Sequence, residues 1–169
     1  MVNLTNKEKF LLEGEKYQQQ LAIDKYNDYS LQAQDSNLKN LFSSLSKVEQ
    51  SHLDMVYEML QGRIPQVNQG NLQPYFENNN STSNNYINVG NITLSSLDSN
   101  FHDEDKIICF DALTTEELLH STYSASSFEF EESQFKDTFC EIIKEKEDSL
   151  QYLNNYMIKK GMYNNTVYF

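Results

Sequence analysis

The chain has 169 residues and a formal net charge of −12, from 25 acidic and 13 basic side chains, with a pI of about 4.6. That length suits one domain, 1–169, with a core of its own, and the charge argues against nucleic acid or an anionic leaflet as a partner. No run approaches the roughly 18 apolar residues of a membrane span, and the N-terminus MVNLTNKEKFLLEGEKY lacks the basic-then-apolar layout of a signal peptide. A soluble protein of cytoplasmic synthesis, with no membrane insertion, is therefore expected.

Only two Pro and five Gly interrupt the chain, which favours long helices. The first is predicted from Thr5 to about 34, opened by a Thr5/Glu8 capping box. Asp35-Ser36 supplies a turn and an N-cap. Leu38, Phe42, Leu45, Val48, His52, Val56 and Met59 then keep helical spacing up to Gly62. So short a turn makes the two helices an antiparallel hairpin over 5–62. Residues 63–102 are rich in Asn, Ser, Thr and Gln and hold both prolines, which predicts a mobile connector of about 40 residues. Ile87, Val89, Ile92, Leu94 and Leu97 are its candidates for packing on the bundle, and its Asn-x-Ser/Thr sequons at Asn79, Asn80 and Asn91 mean little without a secretory signal. A third helix is predicted from Asp103 to about Phe130, and a fourth, capped by Ser133, to Lys160 with a stop at Gly161; together they form a hairpin over 103–161. Cys109 and Cys140, without a C-x-x-C spacing, are expected to be buried free thiols.

The two hairpins repeat one another. A constant offset of 97 pairs Leu21 with Leu118, Tyr26 with Tyr123, Ser36 with Ser133, Phe42 with Phe139 and Leu53 with Leu150. Two helical hairpins joined by one long crossover give an all-α fold, a ferritin-like four-helix bundle in connectivity.

Within VEQSHLDMV, Glu49 and His52 stand at the Glu-x-x-His spacing of a carboxylate-bridged di-metal bundle. Such a site needs, from each hairpin, one Glu on the first helix and a Glu-x-x-His on the second, because two divalent ions require bridging anionic oxygens and an imidazole apiece. Across the first hairpin Glu49 faces Gln19 or Gln20, neutral amides that bridge metals poorly. The offset of 97 maps Gln19 to Glu116, Glu49 to Lys146 and His52 to Ser149, which leaves Glu49, His52 and Glu116 out of six ligands. The ammonium of Lys146 would repel the cations. Shifted registers offer Glu15, Glu145 or Glu147 as acids but no second histidine. No metal and no cofactor are therefore expected, Glu49 and His52 being read as a buried pair bonded to each other and to Gln19 or Tyr26. The alternative is a ferritin-like metal-binding oxidoreductase or metal store, with an asymmetric site of Glu49, His52 and Glu116. His102 and His120 have no partner at ligand spacing, and no phosphate loop, nucleophile elbow or zinc pattern is present, so an enzyme is not expected.

The stretch LTNKEKFLLEGEKYQQQLAIDKYNDYSLQAQDSNLKNLF, with TTEELLHSTYSASSFEF and LQYLNNYMIKKGMY later on, resembles the coat-F family of spore coat proteins and, more distantly, the rubrerythrin and ferritin-like superfamily. The resemblance covers 4–62 and 103–163. It implies a non-enzymatic protein of the bacterial endospore coat, made in the mother cell, with other coat proteins as partners. The tyrosines Tyr152, Tyr156, Tyr163 and Tyr168 offer amphipathic contact area. Tyr17, Tyr29, Tyr57, Phe128 and Phe135 exceed what one core stripe absorbs, so a homodimer is expected.

Overall fold

A computed structural model describes residues 1–66 and 101–163. These form four helices, α1 (Asn6–Gln32), α2 (Ser36–Leu60), α3 (Asp103–Ser127) and α4 (Ser133–Lys159), and no strand. The expected hairpins are thus all-helical. The sequons, the apolar candidates of the connector and Tyr168 lie outside the described residues.

Side chains set most of the helix starts by receiving N–H groups that have no partner within the helix. Thr5 accepts from the Glu8 N–H at 3.2 Å while the Glu8 carboxylate accepts the Thr5 N–H at 2.8 Å, the reciprocal box read from the sequence. Asp35 receives the N–H groups of Asn37 and Leu38. At α4 the cap is Glu132, bonded to the Gln134 N–H, and Ser133 is already the first helical residue. Glu132 has the extended backbone of a cap residue, whereas Ser133 is already helical, so the cap falls one position earlier than the sequence suggests. Gly62, with a φ of 69°, turns the chain after α2, where its carbonyl accepts the Val2 N–H at 2.7 Å. A Cβ there would stand 2.3 Å from the Val2 carbonyl oxygen, so only glycine lets the N-terminal residues dock.

Partners across the bundle give the helix directions. On α1 and α3, Glu15 meets Ser126, Tyr26 meets Glu116 and Tyr29 meets Asp111, so the two run antiparallel. On α2 and α4, Glu49 meets Lys146 and His52 meets Glu145, which is again antiparallel. One apolar cluster, around Tyr26, Phe42, Leu45, Ala112 and Leu153, fills one end. A second, around Leu12, Met59, Phe130, Phe135 and Phe139, fills the other. Between them lies a fully buried polar layer, of which Gln19, Glu49, His52, Glu116, Lys146 and Ser149 are members.

The repeat has a structural counterpart that the sequence reading missed. The buried Asp105 carboxylate accepts the N–H groups of Gln34 (2.7 Å) and Asp35 (3.0 Å) in the turn between α1 and α2. Glu8, its equivalent at the offset of 97, accepts the Glu131 N–H at 3.3 Å in the turn between α3 and α4. Each hairpin clamps the turn of the other.

Two further expectations need correction. Cys109 is buried but Cys140 is exposed, because it falls one position beyond the inward stripe of Phe135, Phe139 and Ile142. Phe135 is not surplus aromatic surface; it is fully buried with its ring 6.1 Å from that of Phe130. Tyr17, Tyr57 and Phe128 are exposed. Tyr29, Tyr156 and Tyr163 pack half-buried against the first cluster. Among the described residues no helix is long and apolar enough to cross a membrane.

Candidate functional site

The polar layer forms because the inward stripe of every helix carries a polar side chain at the same height: Gln19 on α1, Glu49 and His52 on α2, Glu116 on α3, Lys146 and Ser149 on α4. The three residues singled out in the sequence, Glu49, His52 and Glu116, are all fully buried there. What joins them is Lys146. Its Nζ donates to Glu49 Oε2 and lies 3.4 Å from Glu116 Oε2. On the other side of Glu49, the His52 Nδ1 is 3.4 Å from the same oxygen, and Nε2 is 2.7 Å from Glu145 Oε2 near the bundle surface. Tyr26 donates to Glu116 Oε1 at 2.5 Å.

The His52–Glu49 pair is present as expected, but its other partners differ. Tyr26 bonds Glu116, not Glu49 or His52, and no hydrogen bond joins Gln19 to Glu49. Among the described residues, both amide atoms of Gln19, the Tyr123 hydroxyl beside them and Ser149 Oγ are buried without a partner in good hydrogen-bond geometry. Glu15 serves a second, neighbouring pair, accepting from Ser126 at 2.8 Å and Thr122 at 3.2 Å. His120 lies 3.5 Å from Glu147 on the flank of the bundle, and His102 precedes α3 without bonding its N–H groups.

Charge within the layer is divided unequally. Burial by itself would push the Glu49 carboxyl up; the Lys146 ammonium and the His52 imidazole more than offset this and hold it at about 2. Glu116 keeps the consequence of burial and of Glu49 beside it, and is raised to about 7 despite the attraction of Lys146. For His52, burial pulls the imidazolium down, but hydrogen bonds to Glu145 and Glu49 outweigh it and the group is raised.

These shifts set a pH dependence. Glu49 contributes stability above its ordinary 4.5 that is lost as the pH falls toward about 2. Glu116 works the other way: its contribution is whole below 4.5 and lost as the pH climbs to about 7. That of His52 is whole below 6.5 and lost as the pH rises through its raised value. Thermal stability is thus expected to peak at about pH 4.5 and to decline toward pH 8, by up to about 1.4 kcal/mol per unit for each titrating group. Glu116→Gln, which keeps an acceptor for Tyr26, should flatten the decline between about pH 5 and 7; an unchanged profile would show that Glu116 does not titrate there.

An ammonium occupies the space between two carboxylates that a metal ion would need, so the arrangement does not fit a di-metal centre. Among the described residues no three His, Cys, Asp or Glu side chains are placed to hold one. Lys146 is the residue whose role the sequence reading missed. The available signal was the offset itself, since Glu49 and Lys146 are equivalent positions of opposite charge.

Comparison with known proteins reaches only part of the chain. No curated protein and no solved structure matches it. Residues 104–166 match the Coat F domain, a span that takes in nearly all of α3 and the whole of α4, and leaves α1 and α2 outside.

Proposed function

We propose that the protein is a non-enzymatic structural and interaction component of the bacterial endospore coat. In this reading it is made in the mother cell, deposited in the coat, and binds both itself, as a homodimer, and other coat proteins. The observation that carries it is the Coat F domain match over residues 104–166. The polar layer supports it from the side of chemistry: Lys146 neutralises the very carboxylates that would recruit a cation, which turns a reactive type of centre into an internal tie. The hairpins, with α1 antiparallel to α3 and α2 to α4, suit a ferritin-like bundle closed by a long crossover. On this reading no metal or other cofactor is held.

A fluorescent fusion followed through the life cycle tests the role. It is expected to be absent from vegetative cells and to form a shell around the forespore late in sporulation. Uniform fluorescence in vegetative cells would remove the coat role. The accompanying metal assay, on protein purified without chelators, should find far less than one iron or manganese per chain; two per chain would restore the oxidoreductase reading.

A further inference from the structure

On α1, the face turned away from the core carries Phe10, Gly14, Tyr17 and Leu21. Phe10 is 78%, Tyr17 72% and Leu21 54% exposed, and a Cβ added at Gly14 would meet nothing within 4 Å. The steps between them are four, three and four residues, the spacing of a coiled-coil seam. Its symmetry sets this stripe apart from scattered surface apolar residues. Its spacing is a palindrome, and it stays one when extended by a further three residues at each end, where it reaches Lys7 and Asp24.

We propose that this stripe is the homodimer interface and that a second copy lies on it with its α1 antiparallel, in the register where facing residue numbers sum to 31. The inference rests on the self-association proposed above and names its surface. In that register Phe10 faces Leu21, Gly14 faces Tyr17 and Lys7 faces Asp24, each contact occurring twice about the two-fold axis, as an isologous interface requires. The open notch at Gly14 receives the Tyr17 ring, and opposite charges close both ends of the seam. A parallel pair would do worse at every step: two tyrosines would collide, two glycines would leave a void, and Lys7 and Asp24 would each meet its own kind. Lys7 also pairs with Glu129, and Asp24 accepts from Gln20 at 3.0 Å. Both are exposed contacts, weak enough to be exchanged on association. The equivalent face of α3, reached by the offset of 97, places Ile107, Asp111, Thr114 and Leu118 in these positions. Asp111 is tied to Lys25 and Tyr29, and the pattern is not self-complementary.

Sedimentation of the full chain at micromolar concentration tests this. The wild type should be a dimer in low and high salt, because its centre is apolar. Leu21→Glu should weaken the dimer at least about tenfold, while Leu118→Glu on α3 should not. Lys7→Glu alone should weaken it, and Asp24→Lys added to Lys7→Glu should restore it; far-ultraviolet circular dichroism confirms that each variant is folded. A wild-type monomer would overturn both the interface and the self-association in the functional reading, and would mean that another protein or another segment covers the stripe. A wild-type dimer indifferent to Leu21→Glu would overturn the interface alone. Failure of the charge exchange to restore association would overturn the antiparallel register.

Discussion

Replacing Lys146 by methionine is expected to lower the stability of the chain by about 3–5 kcal/mol. Methionine fills nearly the same volume, so little of that loss is packing. The cost comes from Glu49, which the ammonium holds at about 2 and which would remain in the core as a carboxylate facing only His52, or take up a proton and forfeit that interaction. Glu49→Gln combined with Lys146→Met removes both charges and should recover most of the loss, so that a double-mutant cycle in urea unfolding shows a coupling of about 2 kcal/mol or more. A Lys146→Met variant within about 1 kcal/mol of wild type would mean that the tie is not important to the fold.

Asp105→Ala should come second, at about 2–4 kcal/mol, because one buried carboxylate serves two backbone donors and hydrogen bonds to charged acceptors are worth about 1.5–3 kcal/mol each. The damage is expected away from the substitution, in the turn of the other hairpin. Amide hydrogen exchange at Gln34 and Asp35 should speed up well beyond the effect at exposed helix ends, and Asp105→Asn, which keeps one carbonyl acceptor, should fall between. Slow exchange persisting at both amides in Asp105→Ala would show that the turn holds without its clamp.

The helices and most of their caps are legible in the sequence because they depend on local chemistry: the Thr5/Glu8 box, Asp35 before α2, and Gly161 after α4 with its φ of 67°. Burial of Glu49 and His52 is legible too, since both lie on the apolar stripe of α2, while Glu116 is reached only through the offset of 97 from Gln19. The pairings are not, because they depend on how the two hairpins meet. Reasoning within one hairpin sent Gln19 to Glu49, whereas the partners of Glu49 are His52 and, across the bundle, Lys146. Taken singly, Lys146 reads as a charge hostile to cations; placed opposite its own repeat-mate, it is the counterion. The exposed Cys140 and the buried Phe135 differ from expectation for a related reason, as a single position on α4 decides whether a side chain turns inward.

The reciprocal clamps bear on what can fold by itself. The Coat F match covers 104–166, yet within the chain that hairpin has its turn held by Glu8 and its buried ammonium bonded to Glu49, both from outside the match. The same holds in reverse, for the first hairpin has its turn closed by Asp105. Neither half is therefore expected to fold on its own. Unfolding of the described residues should be all-or-none rather than hairpin by hairpin, and a cut at the sequence boundary of the matched domain is expected to destabilise both halves.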